Sequence, residues 1–138
     1  MRADEETERA VLDVLDRFAE AVGARDAEAV LALFAADEDV CSIGSEAGEL
    51  RRGHGEIATF LRRVLSAPQR YRWEWSRRDV SAQGDVAWLV AEGTSRIERA
   101  SGVEEAPYRL TAVLARRDAA WQILLFHGSE PADTRAEG

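Results

Sequence analysis

The chain has 138 residues, of which 46% are apolar and 32% charged, a balance typical of one globular domain. Its net charge of −8 arises in residues 1 to 39, where twelve acidic residues accompany four arginines, and this excess argues against nucleic acid and anionic membranes as partners. No segment approaches the ~20 apolar residues of a membrane span, and the acidic start lacks the apolar run of a secretory signal, so we expect a cytoplasmic protein.

The first elements along the chain are predicted to be helices. Apolar residues recur at helical spacing from Thr7 onward and predict a first helix that ends at Gly23. Asp26 is a suitable N-cap for a short second helix that continues through residue 34. A third helix is predicted from about Gly55 to residue 65, where Ser-Ala-Pro ends it.

The remainder of the chain is predicted to be extended. Two short strands near residues 40–43 and 50 flank a turn bounded by glycines. From Arg70 onward the apolar period falls to two, and four longer strands are separated by turn signals. The pattern predicts an α+β domain over residues 7–130, with three N-terminal helices packed on a curved, mostly antiparallel sheet. Residues 1–6 are expected to be disordered, and residues 131–138 are expected to form a flexible tail.

Three short strings of the sequence resemble a known superfamily in their order and spacing. They are Gly23-Ala24-Arg25-Asp26 followed by Leu31-Ala32-Leu33-Phe34, then Gly84-Asp85-Val86-Ala87, then Trp121-Gln122-Ile123-Leu124-Leu125-Phe126-His127-Gly128-Ser129. Over about residues 7 to 131 the chain resembles the nuclear transport factor two-like superfamily, nearest its SnoaL-like branch. The last string also resembles the association domain of calcium/calmodulin-dependent protein kinase. The resemblance implies a cone-like α+β barrel and a homodimer formed through the sheet, but no particular reaction.

The resemblance also indicates which positions a ketosteroid isomerase of this superfamily would use. Such an enzyme needs a carboxylate base beside an oxyanion hole made by a tyrosine and a protonated acid. By this resemblance, the tyrosine corresponds to Phe18, the carboxylate base to a position near Ser42, and the protonated acid to Thr111 or Ala112. None of these side chains supplies the required group, so we do not expect isomerase chemistry by that mechanism.

A pocket lining follows from the same comparison. The pocket arginines of the kinase association domain fall on Gly93, Ala112 and Gly128, so a basic anion site is not expected. An apolar lining suited to a small hydrophobic ligand is expected instead. The residues expected to contact this ligand are Phe18, Phe34, Leu89, Tyr108, Leu110 and Phe126.

The last strand requires an assignment of its two faces. Strict alternation places Leu124, Phe126 and Gly128 on the pocket side, and Ile123 and His127 on the outer side that would face the partner subunit. A single bulge would reverse part of this assignment.

Aromatic residues alternate along the first long strand, at Tyr71, Trp73 and Trp75. They could form a platform for a ring-shaped ligand, or they could pack against the third helix or the partner subunit. The packing interpretation is the one we favour.

Candidate catalytic groups are few. His127, Glu92 and Glu74 are the proton donors or acceptors that we retain, each on condition that it lies inside the cavity. Cys41, the only cysteine, is expected to be a buried hydrophobe. We expect no metal and no cofactor, because the two histidines are far apart and no nucleotide-binding motif is present.

Three functions remain open at this point. The leading hypothesis is a SnoaL-like domain with a small apolar pocket, which binds a small molecule or has an accessory role, without an identifiable catalytic set. The alternatives are an enzyme of the cyclase, isomerase or dehydratase type acting on a small hydrophobic substrate, and a non-catalytic oligomerisation module.

Overall fold

The computed structural model describes residues 1–132 and has the α+β architecture predicted from the sequence. The helices are α1 (Glu5–Gly23), α2 (Ala27–Leu31) and α3 (His54–Leu65). The strands are β1 (Cys41–Ile43), β2 (Leu50–Arg52), β3 (Arg70–Gln83), β4 (Val86–Arg99), β5 (Gly102–Arg117) and β6 (Ala120–Ser129). No helix among the described residues is both long enough and apolar enough to span a bilayer.

Side-chain caps begin the first two helices. The Asp4 carboxylate accepts a hydrogen bond from the backbone N–H of Thr7 at 2.8 Å, and the Asp26 carboxylate accepts one from Ala29 at 3.0 Å. Each cap satisfies a backbone donor that has no partner within its helix. The apolar stripe of α1 is buried against the sheet, as its helical spacing predicts. The stripe consists of Val11, Val14, Leu15, Phe18, Ala21 and Val22.

The extreme N-terminus differs from the expectation of disorder over residues 1–6. Ala3 is buried, and its N–H donates to the carbonyl of Val80 at 3.2 Å. The N–H of Ala82 donates to the carbonyl of Met1 at 2.8 Å. Helix α1 then begins at Glu5, because Asp4 caps it. The edge strand β3 has unpaired backbone groups that this segment satisfies, a tertiary effect that composition does not show. Of the predicted tail 131–138, only residues 131 and 132 lie within the described residues.

The second helix is shorter than predicted. It ends at Leu31, and Phe34 instead forms a parallel bridge with Ile123 of β6. The N–H of Ile123 donates to Leu33 and the N–H of Ala35 donates to Ile123, both at 2.9 Å. These backbone bonds replace those that a longer helix would have made.

Within residues 1–132 the six strands form one sheet in the order β2-β1-β6-β5-β4-β3. All neighbouring pairs are antiparallel except β1 and β6, which are parallel. The helices cover the inner face of the sheet, where a single core joins them to β3 through β6. The opposite, outer face is not covered by any described element and carries exposed apolar side chains such as Val90.

Two bulges reset which side chains face inward. One lies between Trp75 and Arg77 of β3, and the other places Leu124 of β6 outside the regular pairing with β5. Because of the second bulge, Ile123 and Phe126 are both buried on the inner face, although they are three residues apart. The prediction that Ile123 faces outward with His127 was therefore wrong, since an extra residue shifts the alternation.

Strand β5 begins at Gly102, six residues before its predicted start at Tyr108. The added part contains two glutamates and Pro107, which weaken the strand signal in the sequence. It pairs with β4 alone, since the pairing with β6 begins at Arg109. An edge position of this kind accommodates proline and charge, and it carries β4 and β5 beyond β6 to form one wall of an open end of the sheet.

Candidate functional site

A cavity of about 350 Å³ opens between the helices and the inner face of the sheet. Helices α1 and α3 form one side, strands β3, β4 and β5 form another, and the β1–β2 hairpin closes part of the mouth. Its volume is in the range of small-molecule sites. Six aromatic side chains line it: Phe18, Phe60, Tyr71, Trp73, Tyr108 and Phe126.

The aromatic side chains form a contiguous wall. Phe18 is stacked on Phe126 with ring centroids 4.3 Å apart, and it contacts Trp73 at 6.1 Å. Trp73 lies 6.0 Å from Tyr108 and is nearly parallel to Trp75, at 6.3 Å and an interplanar angle of 9°. The rings hold one another in place and leave Trp73 on the cavity side, so the wall offers flat apolar surfaces to a ring-shaped ligand.

The two interpretations of the aromatic strand each describe part of it. Tyr71 and Trp73 line the cavity, as a platform would, whereas Trp75 is outside the lining and packs on Trp73 and Tyr108. Trp75 contributes by supporting the rings that line the cavity.

Tyr108 is the buried polar group of this wall. Its side chain belongs to the core and only 8% of the residue is exposed, yet it lines the cavity. Burial raises the pKa of Tyr108 to about 12, and the negative charges of Glu130 and Glu49 add to the effect. A phenol is neutral at physiological pH even at the ordinary pKa of 10.0, so Tyr108 can donate a hydrogen bond into the cavity.

The mouth of the cavity is lined by polar residues. The sequence predicts an apolar lining and does not predict these residues. Glu46, Glu49 and Glu130 line it near the β1–β2 hairpin and the end of β6. The Glu49 carboxylate accepts a hydrogen bond from the backbone N–H of Glu46 at 3.1 Å, which holds it over the hairpin. On the β3–β4 side, Gln69 and Arg99 also line the mouth and are hydrogen-bonded to each other at 3.0 Å.

The structure divides the predicted ligand-contacting residues into two groups. Phe18, Tyr108 and Phe126 line the cavity. Phe34, Leu89 and Leu110 do not; they lie in the core beneath it, with at most 4% of each exposed. Strand alternation identifies the inner face correctly but does not indicate where along a strand the helices stop covering it. That boundary separates core residues from cavity residues.

The three candidate catalytic residues lie outside the cavity. His127, Glu92 and Glu74 are all exposed, and none of them lines it. His127 and Glu92 lie on the outer face, where Thr111 is directly opposite His127 and Arg109 is opposite Glu92. The condition placed on these residues, a position inside the cavity, is therefore not met.

The positions matched to other members of the superfamily are occupied differently here. Gly128 lies against the Tyr108 hydroxyl, and Gly93 lies against the backbone of Glu74. Gly128 is one of the positions that correspond to pocket arginines in the kinase association domain. In this protein the phenol of Tyr108 fills the space beside it. Cys41 is a buried free thiol on β1, as expected for a small apolar residue. Among residues 1–132 no three potential metal-ligating side chains converge.

Sequence reasoning missed most of the polar lining. Gln69, Arg99 and Glu130 were not singled out, because each lies at or just beyond the end of a strand and carries no motif of its own. Glu49 was not among the candidate catalytic residues retained from the sequence. A signal was available in the pairing of β3 with β4, which brings residues 69–71 next to residues 97–99.

Comparison with known proteins agrees with this fold. The family model of the SnoaL-like domain matches residues 11–133, and the chain therefore belongs to the SnoaL-like domain family. Within the broader NTF2-like superfamily, the relationship accounts for the helices and the curved sheet that enclose the cavity. No curated protein sequence matches the chain significantly.

Several solved structures share the fold at low sequence identity. A proposed dehydratase of the NTF2-like family from Streptomyces avermitilis is 17% identical with a TM-score of 0.84, covering 94% of this chain and 100% of that one. A proposed aromatic ring hydroxylase from Novosphingobium aromaticivorans is 21% identical with a TM-score of 0.82, covering 96% and 94%. A proposed calcium/calmodulin-dependent protein kinase II association domain from Xanthomonas campestris is 20% identical with a TM-score of 0.78, covering 96% of each chain. These similarities establish the fold.

Proposed function

We propose that this protein binds a small, flat, mostly apolar molecule in the aromatic cavity, with the Tyr108 hydroxyl as a hydrogen-bond donor to it. The observation that carries the proposal is the combination of a cavity of about 350 Å³, six aromatic side chains in its lining and a buried neutral phenol. Pockets for small molecules are mostly apolar with a few placed polar groups, and this cavity has that composition. Phe18, Tyr108 and Phe126, expected from the sequence, would contact the ligand.

The test is an isothermal calorimetric titration with fused two-ring aromatic probes. The probes are naphthalene, 2-acetylnaphthalene and 2-tetralone. We expect saturable binding that Ile97→Trp abolishes, because Ile97 lines the cavity and an indole there would fill it. Leu50→Trp is the matched control, since Leu50 is 53% exposed and lies outside the cavity. Failure of all three probes to bind, or equal loss of binding in both variants, would contradict the proposal.

An enzymatic role is the second proposal, and one observation favours it. Tyr108 and Glu49 both line the cavity, and the charge of Glu49 contributes to the raised pKa of the phenol. A carboxylate can remove a proton α to a carbonyl while a neutral phenol stabilises the resulting enolate oxygen. The structures described as a dehydratase and a ring hydroxylase show that the fold is associated with proposed enzymes.

Proton exchange measures this activity directly. Exchange of the α-hydrogens of 2-tetralone in D₂O, followed by NMR, should exceed the buffer rate and fall to it in Glu49→Gln. Exchange that is unchanged in Glu49→Gln but lost in Glu74→Gln would assign the chemistry elsewhere. No acceleration by the wild-type protein would leave binding as the function.

We also propose a homodimer formed through the outer face of the sheet. The family resemblance of the sequence implies a dimer of this kind. The face carries Val86, Val90 and Val103, which are 42%, 50% and 52% exposed, together with the half-buried Trp88. A row of Arg77, Glu92 and Arg109 crosses the same face with alternating charge. A two-fold contact could pair such a row with its own copy.

A further inference from the structure

The hydrogen bonds at the cavity mouth form a short directed chain. The Arg99 Nε–H donates to Oε1 of Gln69 at 3.0 Å, and Nε2 of Gln69 donates to the Tyr71 hydroxyl oxygen at 2.6 Å. All three residues line the cavity. Arg99 also forms an ion pair with Glu104 at 3.3 Å, which holds the guanidinium in place.

The direction of this chain follows from the chemistry of its members. A guanidinium has only donors, so the amide atom that faces Arg99 must be the oxygen of Gln69. The other end of the amide is then the NH₂ group, which can only donate. Tyr71 is therefore the acceptor of that bond, and its own hydroxyl proton is left for another partner. Since Tyr71 lines the cavity, this partner can be a bound molecule.

We propose that Arg99 and Gln69 fix the Tyr71 hydroxyl as a hydrogen-bond donor to the ligand, so that the site selects molecules with an uncharged acceptor, such as a ketone oxygen, at the cavity mouth. This inference rests on the proposed binding function. Tyr71 and Tyr108 then supply two donors in the cavity lining. Gln69 and Arg99 are positioning residues that act through Tyr71.

The acceptor is uncharged because of the charges around the mouth. Glu46, Glu49 and Glu130 line it and oppose a carboxylate ligand. Three arginines also line the cavity, and each lies beside an acidic residue. Arg99 is paired with Glu104 and hydrogen-bonded to Gln69. Arg72 forms an ion pair with Glu98 at 3.3 Å, and Arg96 lies opposite Glu105 of β5. A neutral carbonyl accepts a hydrogen bond without meeting this repulsion.

The test compares two probes of nearly the same shape, 2-acetylnaphthalene and 2-isopropenylnaphthalene, which differ by the replacement of C=O with C=CH₂. The wild-type protein should prefer the ketone by about three- to tenfold, the usual effect of one hydrogen bond. Gln69→Glu is the decisive variant. A glutamate accepts from both Arg99 and Tyr71, so it engages the hydroxyl proton and should remove the part of the preference that Tyr71 contributes, while the affinity for the hydrocarbon is retained.

Tyr71→Phe removes the donor itself and should lose the same preference, and the double variant should lose no more than either single one. A third probe, 2-naphthoate, should bind more weakly than the ketone. Retention of the full ketone preference in Gln69→Glu, or tighter binding of naphthoate, would overturn the inference and leave the binding function intact. Binding of neither probe by the wild-type protein would overturn both.

Discussion

The hydroxyl oxygen of Tyr108 lies so close to the α-carbon of Gly128 that a methyl group added there would come within 1.8 Å of it. The two residues are on neighbouring strands, since Gly128 of β6 is paired with Leu110 of β5. The absence of a side chain at Gly128 is what allows the phenol to reach its position in the cavity wall. Gly128 is thus needed for its small size, and its backbone does not adopt a positive φ.

Gly128→Ala should displace the phenol of Tyr108. The new methyl group would meet the hydroxyl oxygen at 1.8 Å and a ring carbon at 2.6 Å, and a buried ring has little room to turn. We expect a loss of about 1–3 kcal/mol in the free energy of unfolding, typical of overpacking, together with weaker probe binding. Urea denaturation measures the first effect. In a Tyr108→Phe background the cost should be smaller, and an equal cost in both backgrounds would argue against this contact as the cause.

Gly93→Ala should be the more damaging glycine substitution. An added methyl group would lie 2.0 Å from the carbonyl oxygen of Glu74 and 2.8 Å from the α-carbon of Trp75, both backbone atoms next to a bulge. Backbone atoms cannot move aside cheaply, so we expect a loss of about 3 kcal/mol or more. Gly55→Ala is the matched control. It has open space and lies in α3, so it should gain about 0.5 kcal/mol from helix propensity.

The stability of the protein should depend on pH in the alkaline range through Tyr108. The pKa of its phenol is raised from 10.0 to about 12 in the folded state, so the unfolded chain loses this proton first as the pH rises. The stabilisation by the neutral phenol is complete below pH 10 and is lost between pH 10 and about 12. Chemical denaturation at several pH values measures the slope. Tyr108→Phe should reduce that slope, and an identical slope in the variant would refute the assignment.

Val90→Glu should separate the proposed homodimer. Val90 is 50% exposed in the middle of the outer face, and a carboxylate buried there in a two-fold contact would meet its own copy or an apolar surface. Sedimentation velocity should show a dimer for the wild-type protein and a monomer for the variant. Leu50→Glu, at a residue 53% exposed on β2, should remain dimeric. A monomeric wild-type protein would exclude the dimer.

The pairing of the N-terminal segment with β3 can be tested with proline. Ala3→Pro removes the N–H that donates to Val80, and we expect a loss of about 1–2 kcal/mol in stability. Arg2→Pro is the control, since both backbone bonds of the segment are made by its neighbours, Met1 and Ala3. If thermal unfolding shows no difference between the two variants, the pairing contributes no stability.

Local signals predicted several elements well. Asp26 caps a helix, and the glycine at position 23 ends another, because capping and helix termination depend on neighbouring residues. Alternation in β4 places Leu89 on the inner face and Val90 on the outer face, as observed. Such features depend on spacing within one element.

The errors arose where two elements meet. The bulge at Leu124 reversed half of the facing assignment in β6, and Phe34 left the second helix to pair with Ile123. Neither feature can be predicted from the local sequence, because each depends on which strand lies alongside. The same limitation applies to Phe34, Leu89 and Leu110, which were expected at the ligand and lie in the core.

The sequence by itself determined the α+β class, the order of helices and strands and the superfamily, since periodicity, caps and turns are encoded over a few neighbouring residues. Only the tertiary structure decided which residues line the cavity. It placed Gln69 beside Arg99, thirty positions along the chain, and Tyr108 against Gly128. It also left His127 exposed on the outer face. The physical reason is that a binding site is made by residues from several elements, and their distances are set by strand register, bulges and packing.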